Sequence, residues 1–343
     1  MRYEIGYAAM CEQFTPMDLV QYCQKAEAAG FKGHMVSDHF NPWTPQQGQS
    51  AFVWTLLGAL GMQTQGDFGT GVAAPGYRIH PLVLAHAAAT TAQMFPGRFW
   101  LGLGAGEALN EHVVGGYWPE APERLERLDE CLEIIQKLLS GKKVRHSGKY
   151  YRVESCKLWT RSDPPPPIYI ATAGPINSEK TGRNADGIII PGAGDEKLKM
   201  LLEKFEKGAK DAGKNPDEMP RILQIHVSWA KTQEEAEQQA VREWPNGGMA
   251  FAKADIRQPE EFEAMAKIVR LDDFKNRVLM THDLTAHRQH LQRFIDLGFT
   301  AVYVHNVGRN QEAFIEAYGK EVIPHLKWPP KVTRVGSGAG SAR

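Results

Sequence analysis

The chain has 343 residues, 42% of them hydrophobic and 23% charged, with 40 Lys+Arg against 40 Asp+Glu. That length fits one large α/β domain or two ordinary ones, and a formal net charge of zero gives no electrostatic reason to expect nucleic acid or an anionic membrane as partner. Four cysteines without a Cys-x-x-Cys pair make neither a disulfide framework nor a zinc knuckle.

The first expected strand, Tyr3–Ala9, runs through Glu12-Gln13 into a helix over Pro16–Ala29. Glu12 is open to two readings, a first-turn carboxylate or a substrate contact. The second strand, Gly33–Ser37, leads into Ser37-Asp38-His39-Phe40-Asn41-Pro42-Trp43. A carboxylate can orient and charge a neighbouring imidazole, so Asp38-His39 suits proton transfer, although the same dipeptide also caps turns. Trp43 can wall a flat cofactor or a sugar face. A helix over Ala51–Gln63, a strand over Phe68–Ala73 and a helix over Pro81–Met94 follow.

The fourth strand, Phe99–Gly104, overlaps the loop Gly102–Glu111, which holds three alternating glycines, then Glu107 and Asn110. Glycine lets backbone approach a ligand closely. A carboxylate beside it is a poor place for phosphate and a good place for a proton donor. After a helix over Glu120–Leu139, residues 142–160 read as a hairpin excursion with Tyr150-Tyr151, and Pro164–Pro167 as a stiff lead-in. The fifth strand, Ile168–Ala173, ends on small residues before a helix over Asn177–Arg183. Strand Gly187–Pro191, helix Glu196–Ala212 and strand Arg221–Trp229 come next, the last carrying His226. Residues 232–277 form a second excursion, with a charged helix over Glu234–Glu243 and a break at Pro245-Asn246-Gly247-Gly248. A helix over Ala286–Asp296, whose His287 and His290 read as surface, precedes the last strand, Ala301–Asn306, and a helix over Gln311–Ile323. Residues 331–343, Gly/Ser-rich from Val335 on, read as a flexible tail.

Strands alternating with helices imply a parallel sheet, and eight such units close into a (β/α)8 TIM barrel. A Rossmann sheet would place glycines after the first strand, where Ala8-Ala9-Met10-Cys11-Glu12-Gln13 has none. The expected architecture is one barrel domain over residues 1–330, with insertions at 142–160 and 232–277 toward the C-terminal face, where barrel active sites sit. The histidines are too scattered for a metal site. No leader and no membrane-length apolar run are evident, which implies a soluble cytoplasmic protein.

The motifs Gly6-Tyr7, Glu12-Gln13-Phe14, Ser37-Asp38-His39-Phe40 with Pro42-Trp43, Pro96-Gly97-Arg98, Gly104-Ala105-Gly106-Glu107-Ala108-Leu109-Asn110-Glu111 and Ala185-Asp186-Gly187 resemble those of the coenzyme F420-dependent dehydrogenases of the luciferase-like superfamily. The resemblance covers residues 1 to about 195 and is looser beyond. It implies a homodimeric barrel with a deazaflavin at its C-terminal mouth and a cis peptide at Gly71-Val72. It also implies ring and tail contacts from Asp38, Gly71, Val72, Gly106, Asn110, Ala171, Thr172 and Ala173. In the implied chemistry a substrate carbinol gives hydride to C5 of the deazaflavin. His39 acts as base, Glu107 as acid at the ring, Trp43 holds the substrate and Glu12 hydrogen-bonds it. Lys253 and Arg277 match half of a phosphate clamp whose other positions fall on Pro191 and on Ala193-Gly194, so a sugar phosphate, a sugar and a secondary alcohol all remain open. His226 and Trp229 are further candidates for the substrate pocket. The competing readings are an FMN-dependent luciferase-like monooxygenase and a non-catalytic deazaflavin-binding protein.

Overall fold

The computed structural model of the protein describes residues 3–329; the expected tail, 331–343, lies outside the described residues. Eight parallel strands are present: β1 (Glu4–Ala9), β2 (Gly33–Val36), β3 (Asp67–Thr70), β4 (Phe99–Leu103), β5 (Ile168–Ala171), β6 (Gly187–Pro191), β7 (Arg221–Ser228) and β8 (Ala301–Asn306). Each pairs with the next in sequence, β8 returns to β1 with Glu4 beside Ala301, and the sheet closes into the expected barrel. A short strand at Leu279–Met280 adds to β7 outside the closed ring. β3 stops three residues before its expected end, where the Gly71-Val72 peptide is cis, as the resemblance implied.

Two apolar layers hold the barrel. One lies between the sheet and the surrounding helices and includes Ile5, Tyr7, Val36, Phe68, Leu101, Ile188 and Val302. The other fills the interior with Met35, Trp100, Tyr169, Ile189, Ile222 and Tyr303. Alternation of side chains along each strand divides residues between the layers. The interior is so full that a Cβ on Gly69 would lie 2.2 Å from the Trp100 ring. A glycine there lets the indole occupy the axis.

The two excursions take different positions. The strands Val144–Ser147 and Arg152–Cys156 form the expected hairpin. It packs along the helix Ala121–Leu139, where the Glu130 carboxylate accepts the backbone N–H groups of Tyr150 and Tyr151. The tip reaches the side of the mouth, with the Tyr151 hydroxyl donating to the Gly76 carbonyl. The later excursion contains the helices Gln233–Glu243 and Pro259–Ala266. It is tied to the β4 loop by Ala108 N–H donating to the Ala254 carbonyl (2.7 Å). Asp255 further pins it by accepting from Trp118 and Arg124.

One surface reading fails. His287 is fully buried, with Nδ1 2.6 Å from the Tyr318 hydroxyl and Nε2 3.0 Å from the Thr281 carbonyl, and His290 is half-buried against Phe294. The helix Leu284–Asp296 presents these positions to its neighbours, and polar residues at helical spacing hide that until their partners are known. Among the described residues no helix is long and apolar enough to cross a membrane.

Candidate active site

β1 and β2 run side by side, with Tyr7–Ala9 opposite His34–Val36, so Glu12 and His39 leave the barrel in adjacent loops. Glu12 is fully buried. One of its oxygens accepts from the Ser37 hydroxyl (2.7 Å), which itself accepts the Cys11 N–H, and the other lies 3.2 Å from His39 Nε2. His39 Nδ1 lies 3.1 Å from Asn110 Nδ2 and 3.2 Å from the Asn41 carbonyl. The Asn110 amide is itself fixed, because its oxygen accepts the Phe40 and Asn41 N–H groups. Trp43 stands 5.1 Å from the His39 ring and edge-on to Trp244 and Phe262.

The Asp38-His39 pairing suggested by adjacency does not form. Consecutive side chains leave extended backbone on opposite sides. Asp38 accepts from the Arg78 guanidinium at 3.1 Å, and the same side chain reaches Glu111 at 3.2 Å. All three are buried, so the cation compensates two carboxylates that would otherwise be costly in that position. The other Asp38 oxygen is buried without a hydrogen-bond partner. The carboxylate partner of His39 is Glu12.

The β4 loop supplies the opposite wall. Gly106 has φ +79°, a left-handed conformation, and a Cβ there would press to 3.0 Å on Ala74 and Glu111. The Glu107 carbonyl caps the short helix Ala108–Glu111 by accepting the Asn110 and Glu111 N–H groups, while its side chain faces the cavity. Burial pushes the Glu107 carboxyl above its ordinary range, His39 pulls it down, Glu12 pushes it up and Lys253 pulls it down.

These groups surround one cavity of about 310 Å³ at the C-terminal mouth, a size suited to a small-molecule site. Its lining brings together Glu12, Asp38, His39, Trp43, Gly71, Val72, Gly106, Glu107, Asn110, Ala171 and His226. Thr172 and Ala173 lie outside that lining. The Thr172 N–H donates to the Ile189 carbonyl, and Ala173 is exposed on the rim. Lys253 and Arg277 also lie outside that lining, both donating to the Met249 carbonyl. Trp229 is buried with its indole N–H on the His282 carbonyl, away from the cavity.

The luciferase-like monooxygenase family model matches residues 3–301, most of the chain. The chain belongs to the luciferase-like family. Its similarity extends to the F420-dependent glucose-6-phosphate dehydrogenase of Microbacterium testaceum (strain StLB037), 36% identical over 326 residues, 94% of this chain and 97% of that protein. The corresponding enzyme of Nakamurella multipartita is 35% identical over 328 residues, covering 94% and 96%. A solved F420-dependent secondary alcohol dehydrogenase, in complex with an F420-acetone adduct, superposes with a TM-score of 0.90 at 30% identity, covering 95% of this chain and 100% of that one.

In this luciferase-like barrel several residues in or behind the cavity lining lie outside the expected site set. Arg78 follows β3 and gives no hint of two carboxylate partners. Gln224 and Trp244 come from β7 and the later excursion. His305 sits on β8 behind His226. His305 stands at the end of β8, where the strand-end rule already points, whereas Gln224 lies in the middle of β7 and is found only once the barrel closes.

Proposed function

We propose that the protein is a coenzyme F420-dependent dehydrogenase that oxidises a carbinol, CH–OH to C=O. The observation that carries this is the convergence of His39, backed by buried Glu12, and of Glu107, with its raised carboxyl, on one cavity in a chain whose relatives bear F420 names.

The residues present fit a flat tricyclic ring. The bare backbone at Gly106, the Gly71-Val72 turn and Ala171 leave a smooth floor, and the unpartnered Asp38 oxygen gives a buried acceptor that a ring N–H would satisfy. Asp38, Gly71, Val72, Gly106, Asn110 and Ala171 would hold the ring, with Thr172 and Ala173 at the rim for its tail. When bound, the coenzyme supplies a hydride-accepting carbon, C5. His39 takes the substrate hydroxyl proton, and Glu12, 3.2 Å from its Nε2, stabilises the resulting imidazolium. Trp43 shields this transfer from water. Glu107, which lines the same cavity, would hold a proton at its carboxyl for the coenzyme.

The test is a coenzyme-reduction screen over sugar phosphates, free sugars and small alcohols, followed by loss of the deazaflavin absorbance. Lys253 and Arg277 form a cation pair beside the cavity with no carboxylate within 4 Å among the described residues, whereas Pro191, which lines the cavity, offers no donor. A sugar phosphate is therefore expected to outperform the free sugar. Lys253→Met should reduce that preference roughly 10- to 100-fold, the value of one charge-assisted contact of about 1.5–3 kcal/mol. Turnover with FMN in place of F420 would favour the monooxygenase reading, and coenzyme binding without reduction by any alcohol the non-catalytic one.

We also place this soluble, cytoplasmic enzyme in a homodimer. The face carrying the helices Val53–Gln63 and Pro81–Met94 leaves Phe52, Met62, Val83 and Met94 at least 54% exposed, an apolar area suited to a second copy. Light scattering should give twice the chain mass; a monomer at micromolar concentration would refute the placement.

A further inference from the structure

The inner wall of the cavity holds a hydrogen-bond chain that the carbinol chemistry leaves unused. Gln13 Nε2 donates to the Val307 carbonyl at 2.9 Å, which turns Gln13 Oε1 toward His305 Nε2, also at 2.9 Å. An amide oxygen only accepts, so His305 Nε2 carries the ring proton. Burial holds His305 neutral, which leaves its Nδ1 bare. His226 Nδ1 lies 2.9 Å from that bare nitrogen and must donate to it. His226 is neutral too, since burial and nearby Lys253 lower it to about 4. Its Nε2 is then a lone pair with no proton.

Among the described residues no group donates to His226 Nε2, and the ring lines the cavity. Trp244 fixes its plane, with centroids 4.7 Å apart and 33° between the rings. Trp244 stands edge-on to Trp43, which touches His39. Two indoles thus separate the imidazole at the reacting carbinol from the one on the inner wall.

We propose that His226, locked by His305 and Gln13 into an acceptor-only form, takes a hydrogen bond from a second hydroxyl of the substrate and so selects polyols over mono-alcohols. This rests on the dehydrogenase reading and deepens it. A substrate without that hydroxyl leaves a buried acceptor unpaired, which is how hydrogen-bonding sites reject analogues that lack the group.

Nitrogen NMR on [15N]histidine-labelled protein, loaded with reduced coenzyme so that no alcohol is consumed, tests the assignment. The His226 Nε2 resonance, identified by its loss in His226→Phe, should be that of an unprotonated nitrogen. It should move toward the hydrogen-bonded position on saturation with glucose 6-phosphate and stay in place with 2-propanol. A protonated Nε2 in the free protein, no movement with the sugar, or equal movement with both compounds would overturn the proposal. In turnover, His226→Phe should lower kcat/KM for glucose 6-phosphate about tenfold more than for 2-propanol, and His226→Gln, which restores an acceptor, should recover most of the difference. Equal losses on both substrates would count against it. If no alcohol reduces the coenzyme, the dehydrogenase reading falls, while the NMR titration still decides the role of His226.

Discussion

Replacing His39 by alanine is expected to lower kcat for coenzyme reduction by about 10²–10⁴-fold, the usual contribution of a positioned base. Coenzyme affinity, followed by deazaflavin fluorescence, should change by no more than about threefold. The separation arises from placement. His39 touches Glu12, Asn41, Asn110 and Trp43, whereas the smooth floor at Gly106, Ala171 and Val72 belongs to other strands. The pH profile gives a second readout. A base must be deprotonated, so it sets the limb on which activity rises with pH. An acid must be protonated, so Glu107 sets the limb on which activity falls, displaced upward because burial raises its carboxyl. His39→Ala should flatten the first limb and leave the second. Unchanged turnover, or loss of both limbs together, would remove His39 from the base role.

That assignment could be read from the sequence only in part. The strand positions were legible because apolar runs bounded by glycine and proline repeat with helices between them, and β6 and β8 fall at their expected limits. His39, Trp43 and Glu107 were legible because each follows a strand end. The partner of His39 was not. Adjacency favoured Asp38, but an extended backbone sends neighbours apart, and Glu12 arrives from a different loop because β1 and β2 are parallel and paired. The partners of Arg78 were illegible for the same reason, since they are two carboxylates 40 and 33 positions away. His287 shows the opposite failure. Its sequence neighbours are charged, yet Tyr318 from a later helix covers it. Local patterns report faces and ends of elements, and contacts between elements become visible only once the barrel closes.

Buried histidines also make a strong demand on stability. His226 and His287 are lowered to about 4, and His305 lies well below its ordinary value, in each case chiefly through burial. An unfolded histidine titrates near 6.5. Between about pH 6.5 and 4 the unfolded chain therefore binds protons that these folded groups refuse, so stability is full above pH 6.5 and is lost as pH falls. Lowered carboxylates such as Glu27, at about 2, lose their contribution only below the ordinary carboxylate range, which leaves the interval from about 4.5 to 6.5 to the imidazoles. Glu107 and Glu111 act with the opposite sign, because a raised carboxyl contributes most at low pH, but they stand against the four imidazoles of His226, His287, His290 and His305. Each imidazole is worth up to about 1.4 kcal/mol per pH unit. His226 and His305 share one hydrogen bond and so titrate as a pair, which makes about 3–6 kcal/mol between pH 6.5 and 5 the expected loss, a large share of a typical folding free energy. Urea unfolding at a series of pH values should show this slope with a constant m-value. His287→Gln, remote from the cavity, should reduce the slope by about one proton and leave the pH profile of turnover in place. A free energy of unfolding that stays level from pH 7.5 to 5 would mean that these rings accept protons in the folded barrel, and the fixed acceptor at His226 would lose its physical basis with it.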